Sequence, residues 1–165
     1  MTPFERRCIN QKIFEISRNN WDLDTLIREF KIIETNYKFV GIQPYLQGPI
    51  FAFPDAILEY VDEYGSVLHK VFKIGFTVTP YLCVIAISMS EENHSLCQYR
   101  YAHPHIEEGG HICLGDENQK VYDEFRQQGF LFYMLEICNL VIQNYDPDSC
   151  FLPLSEWEKE EMEEN

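Results

Sequence analysis

A chain of 165 residues suits one compact domain spanning 1–165, and its 12 Phe and 10 Tyr supply ample bulky side chains for a core. The formal net charge of −14 argues against nucleic acid and anionic membrane as partners of the body as a whole. No stretch of about 18 apolar residues is present to span a bilayer, and the sequence opens on no charged-then-apolar leader. Cys8, Cys83, Cys97, Cys113, Cys138 and Cys150 show no framework spacing, so they read as reduced thiols, and the expected compartment is cytoplasmic.

The charge is unevenly laid out. Residues 1–38 hold seven of the 13 basic side chains against six acids, so nearly all the negative charge falls on the rest of the chain. A near-neutral head on an acidic body suggests two different contact surfaces. Residues 1–36 form an N-terminal helical part. Phe4, Cys8, Ile9, Ile13 and Ile16 recur at helical spacing over 3–17. Leu23, Leu26, Ile27, Phe30 and Ile33 make a second apolar stripe, with Asp22 as its N-cap, and the two stretches are readable as one broken helix.

From Tyr37 to Tyr101 aromatic and β-branched runs alternate with Gly and Pro, which predicts three or four antiparallel strands. Val71–Val78 alternates as a half-buried strand would, and Asp62–Gly65 and Ser90–Asn93 carry turn chemistry. After His103 the chain is expected to be irregular to about Lys120. A long helix follows from near Gly129 to Gln143, with Phe130, Leu131, Met134, Leu135, Cys138, Val141 and Ile142 buried. The Asp146-Pro147 pair ends it, because a residue before proline is pushed out of helical geometry. An acidic helix or tail occupies 154–165, with Ser155 and Glu158 spaced as a capping box. Helix, antiparallel strands, loop, helix, helix is an α+β order.

The chemistry-bearing stretch is His103-Pro104-His105-Ile106-Glu107-Glu108-Gly109-Gly110-His111-Ile112-Cys113-Leu114. It resembles the active-site signature of ubiquitin-conjugating enzymes, His-Pro-Asn followed after a short loop by Gly-x-Ile-Cys-Leu. The third motif residue and the cysteine stand eight apart, as in that family, with His105 at the Asn position. Asp146-Pro147-Asp148-Ser149 is similar to the family's Asn-Pro-Asp segment, which lies beside the cysteine. The family's Tyr-Pro-x-x-Pro-Pro strand ending is absent, and Val121 stands near where its tryptophan would be. The resemblance covers residues 99–153 in sequence and only the architecture before them.

That resemblance implies a ubiquitin-conjugating-enzyme-like fold: N-terminal helix, antiparallel β-meander, active-site loop and C-terminal helices. It implies a transferase that accepts ubiquitin or a ubiquitin-like modifier from an activating enzyme as a thioester on Cys113 and passes it to an amine or other acceptor, aided by a ligase or target protein. A thiol of ordinary pKa, about 8.5, takes an acyl group from another thioester in a nearly isoenergetic exchange. The harder demands are the oxyanion and the proton the attacking amine must lose. His105 is implied as oxyanion donor or loop brace, and Asp148 or Ser149 as the group orienting the amine. His103, Gly110, His111 and Leu114 stand as substrate-binding positions, although His103 also reads as structural and Gly110 as a turn glycine. Arg6, Arg7 and Lys12 are implied as the docking surface for the activating enzyme. No cofactor and no metal is required, since the activating partner consumes ATP.

Other readings stay open on the residues alone. Cys113 between Ile112 and Leu114 also fits a buried core thiol, which would leave a non-catalytic scaffold binding modifier or ligase. His103-x-His105 and His111-x-Cys113 form two pairs of potential zinc ligands. A cysteine protease needs a Cys–His pairing that adjacency in sequence cannot reveal.

Overall fold

The computed structural model describes residues 1–43, 48–89, 102–146, 148, 150, 151 and 154. Helix α1 (Pro3–Ser17) begins in a reciprocal cap: the Thr2 hydroxyl accepts from Glu5 N–H and Glu5 accepts from Thr2 N–H. Its stripe of Ile9, Ile13 and Ile16 is buried. Helix α2 (Leu23–Asn36) starts at Asp22, whose carboxylate accepts from Thr25 N–H. The break between the two helices contains Asn20 at φ 76°, a left-handed conformation no helix continues through.

Six strands follow: β1 (Lys38–Gln43), β2 (Gly48–Ala52), β3 (Ala56–Val61), β4 (Val67–Phe72), β5 (Ile74–Val78) and β6 (Val84–Ser88). Four form an antiparallel sheet in the order β1-β2-β5-β6, and β3 pairs with β4 apart from it. The registers show why the two sheets are contiguous. Ala52 faces Gly75 and Ala56 faces Phe72, so three residues on one strand oppose two on the other. This bulge, with Pro54 at its exposed turn, bends one long hairpin into β2–β3 and β4–β5. The Asp62–Gly65 turn closes it, with Asp62 Oδ1 accepting from Tyr64 and Ser66 N–H and Gly65 at φ 81°.

Helices α3 (Asp116–Gln128) and α4 (Leu131–Gln143) complete the described chain. The start of α4 is capped from a distance: the buried Glu29 of α2 accepts from Phe132 N–H at 3.0 Å. Leu131, Met134, Leu135, Cys138 and Ile142 of α4 join Leu26, Phe30 and Ile33 of α2 and Phe51, Phe53 and Phe76 of the sheet in one core. The class is therefore α+β, as expected. No described helix is long and apolar enough to cross a membrane.

Four expectations are corrected. The three or four strands expected are six among the described residues, because the bulge splits each arm of the long hairpin in two. The two N-terminal stretches are separate helices. The Val71–Val78 run is not one half-buried strand, because Lys73 interrupts it and every residue of β5 is buried. The chain after Cys113 is irregular for only two residues before α3, which sequence periodicity hides because Tyr122 is its sole buried residue. The Ser90–Asn93 turn and the Ser155–Glu158 cap lie outside the described residues.

Candidate active-site loop

Residues 103–113 fold back on themselves. Ile106 N–H donates to the His103 carbonyl, Gly110 N–H to that of Glu107, and Glu107 N–H to that of His111. The returning limb is tied to the outgoing one by Cys113 N–H, which donates to the His105 carbonyl at 2.8 Å. The whole tongue is pinned to β6 through Ala86 N–H, which donates to the Gly110 carbonyl at 2.9 Å. Gly110 is at φ 89°, and a Cβ there would sit 2.6 Å from both the Ala86 carbonyl oxygen and Ile85 Cγ2. The glycine is thus required by close approach to this chain's own strand.

The two motif histidines have structural partners. His103 is fully buried against Phe72, with ring centroids 5.0 Å apart. Its Nε2–H donates to the Ile142 carbonyl of α4 at 2.9 Å, and its Nδ1 accepts from His105 N–H at 3.0 Å. That pattern defines a neutral ring, and burial pushes its pKa down to about 3, outweighing the opposing bond to Ile142. His103 is therefore a brace and not a substrate-binding residue, and with both nitrogens engaged it is no zinc ligand in this arrangement. Among the described residues no group of three or more His, Cys, Asp or Glu is placed to hold a metal.

The neutral brace has a consequence for stability. The unfolded His103 takes up a proton near its ordinary pKa of 6.5, whereas the folded one refuses it until about 3. Stability from this residue is present above pH 6.5 and is lost as pH falls toward 3, at up to about 1.4 kcal/mol per pH unit. In denaturant titrations the stability gap between the parent and His103→Gln should narrow as pH drops below 6.5. A gap that stays constant with pH would contradict the neutral, buried assignment.

His105 is also buried, at 3% exposure. Its Nε2 accepts from Asp146 N–H at 3.1 Å, so one residue fastens both walls of a cleft: the Cys113 limb by its carbonyl and the segment after α4 by its ring. The cleft has a volume of about 420 Å³ and is lined by His105, Cys113, Asp116, Glu117, Leu140 and Asp146 among others. Cys113 is half-buried there. Asn118 steadies the floor, its Nδ2 donating to the Leu114 carbonyl at 3.0 Å. Among the described residues, three carboxylates and no Lys or Arg line the cleft, so their potential favours a cation.

Other expected site residues fall elsewhere. Leu114 is buried, at 8% exposure, and belongs mainly to the core. His111 is exposed, its Nε2 3.9 Å from Glu107 Oε1. Asp148 is exposed, and its N–H donates to Asp146 Oδ1. Asp146, not Asp148, lines the cleft. Ser149 lies outside the described residues. Lys12 is 2% exposed and paired with Glu15, so it packs within the α1 face and presents nothing to a partner. Arg6 is held by Glu34 through both terminal guanidinium nitrogens at 2.6 and 3.3 Å, whereas Arg7 is exposed. The lining residues Asp116, Glu117, Asn118 and Leu140 escaped sequence reasoning, because their link to Cys113 depends on where α3 starts and how α4 returns.

No family model, no curated protein and no solved structure matches the chain.

Proposed function

We propose that the chain is a ubiquitin-conjugating-type acyl transferase that carries a ubiquitin-like modifier as a thioester on Cys113. The observation that supports this most is the double fastening at His105, which sets a half-buried thiol in an open acidic cleft. A cysteine kept only for packing has no need of such a cleft; Cys138, buried at 1% exposure in α4, shows that environment in the same chain. The element order, with a single antiparallel meander between N- and C-terminal helices, fits the fold that the motif implies.

In the loading step the Cys113 thiolate attacks the thioester carbonyl on the activating enzyme, and that enzyme's thiolate leaves. In discharge a neutral amine attacks the Cys113 thioester, Cys113 leaves as thiolate, and the amine gives up a proton. Asp116, Glu117 and Asp146 concentrate an ammonium acceptor in the cleft, and Asp146, whose N–H is fastened to His105, is the carboxylate assigned to take its proton. His105 acts by holding Asp146 and Cys113 at their separation.

Incubation with an activating enzyme, a ubiquitin-like modifier and ATP should add one modifier mass, released by thiol reductant. A folded chain that binds modifier yet never forms this adduct would be a scaffold. For the positioning role, His105→Ala should load nearly normally but discharge to amines about 10-fold more slowly, short of the roughly 10²–10³ lost with a full oxyanion donor. His105→Asn should recover much of the rate, because an amide oxygen can accept from Asp146 N–H. Single-turnover chase of preloaded protein decides this, and an unchanged rate in His105→Ala would remove the residue from the site.

Docking of the activating enzyme is tested at the exposed arginine. Arg7→Glu should slow loading about 3-fold at low salt and less at high salt. Arg6 is a poor probe, since its loss also breaks the tie to Glu34. Equal loading rates at both salt concentrations would exclude Arg7 from the interface.

A further inference from the structure

A second thiol, Cys150, stands next to the site and has no part in the transfer chemistry. The segments that carry the two cysteines are fastened to consecutive carbonyls of one turn: Phe151 N–H donates to Pro104 O at 2.9 Å, and Cys113 N–H to His105 O at 2.8 Å. Tyr145 links them further. Its ring lines the Cys113 cleft, packs 6.1 Å from His105, and its hydroxyl bonds both Leu154 N–H and the Cys150 side chain. Both thiols are half-buried and neither is in a disulfide. Burial pushes the Cys150 thiol upward against an opposing backbone hydrogen bond, with smaller contributions from Asp146 and Cys113. Among the described cysteines only Cys113 lines the cleft itself; Cys83 and Cys138 line a different cavity with Ile112 and Leu114, and Cys8 lies on α1. Of the four others only Cys150 is next in sequence to a residue bonded to the Pro104–His105 turn.

We propose that Cys150 is the resolving partner of Cys113, making the pair a reversible oxidation site that protects the reactive thiol and switches transfer off. The oxidant is a peroxide. The Cys113 thiolate attacks one peroxide oxygen, the O–O bond breaks, and hydroxide leaves, giving the sulfenic acid. The Cys150 sulfur then attacks the Cys113 sulfur and the S–O bond breaks. The hydroxyl departs with the Cys150 proton as water, leaving a Cys113–Cys150 disulfide. Cys113 is oxidised by two electrons and peroxide is reduced by two; any dithiol reverses the state. Without a resolving thiol, a second peroxide carries Cys113 to the irreversible sulfinic acid. The inference rests on Cys113 being a reactive thiol, as in the proposed function, but not on which modifier it carries.

The test treats the full chain with a small excess of hydrogen peroxide, blocks remaining thiols, and maps peptides without reduction. The expected product is lighter by two hydrogens, with the Cys113 peptide joined to the Cys150 peptide. Cys150→Ser should instead give a dimedone-reactive sulfenic acid and then sulfinic acid at Cys113. Activity measured after dithiothreitol should return in the parent and stay lost in Cys150→Ser. The parent's peptide map alone decides the pairing, so the result stands even where the variant is unstable. Cys113 joined to another cysteine, or sulfinic acid forming equally fast in both proteins, would overturn the proposal. Charging of the reduced parent is scored separately: a disulfide without charging would count against the conjugating reading and leave this one intact.

Discussion

Replacing Cys113 by alanine is expected to abolish the modifier adduct completely, while leaving the fold and any non-covalent binding of modifier unchanged. The thiol is half-buried at the edge of the core, so losing its sulfur opens little space, and a stability change below about 1 kcal/mol is expected. Serine at the same place keeps the size but not the chemistry. Its hydroxyl is far less acidic than a thiol, so Cys113→Ser should load slowly, and the ester it forms should resist thiol reductant while yielding to hydroxylamine. Intact-mass measurement of both variants beside the parent checks this. Adduct formation in Cys113→Ala at the parent's rate would place the acyl group on another residue.

The second large effect is expected at Gly110. A methyl group there meets the Ala86 carbonyl and Ile85 at 2.6 Å and must hold φ at 89°. The left-handed conformation costs an L residue about 1–2 kcal/mol, and a clash with backbone adds to it, giving about 3 kcal/mol in all. For a domain of this size that corresponds to a fall of roughly 6–12 °C in Tm. The variant should also lose loading capacity, because the bond from Ala86 to Gly110 positions the limb bearing Cys113. Gly109 is the control. A Cβ there meets His111 and Glu107 side chains only at 3.6 and 3.7 Å, so Gly109→Ala should shift stability by no more than about 0.5 kcal/mol. Similar melting temperatures for the two alanine variants would show that the tongue is not anchored as described.

The fold was legible in the sequence wherever apolar spacing was strong. The isoleucine stripe of α1, the Asp22 cap and the Leu131–Ile142 face of α4 are periodic enough to be read directly. Lys73 was not legible as a break, because a bulge arises from pairing across strands and leaves no mark on alternation along one. Helix α3 was hidden for the opposite reason, as a polar surface helix buries too little to show a period. At the site, local order along the chain pointed to Cys113, but three assignments depended on tertiary placement. His103 bonds α4, Gly110 leans on β6, and Lys12 turns inward against Gly48 of β2, and each of these contacts joins residues far apart in sequence. Asp146 was masked by its own neighbour: Asp148 matches the motif, yet the bend at the end of α4 brings the earlier aspartate to the cleft.

Whether Cys113 holds the acyl group is tested most directly by mapping the charged parent chain. After incubation with activating enzyme, modifier and ATP, the sample is quenched at acidic pH without thiol, where thioesters persist, digested with an acid-active protease, and sequenced by mass spectrometry. The expected result is the modifier's C-terminal remnant on the peptide containing Cys113 and its disappearance after brief thiol treatment. A remnant on a different cysteine, or a thiol-stable remnant on a lysine with Cys113 unmodified, would contradict it.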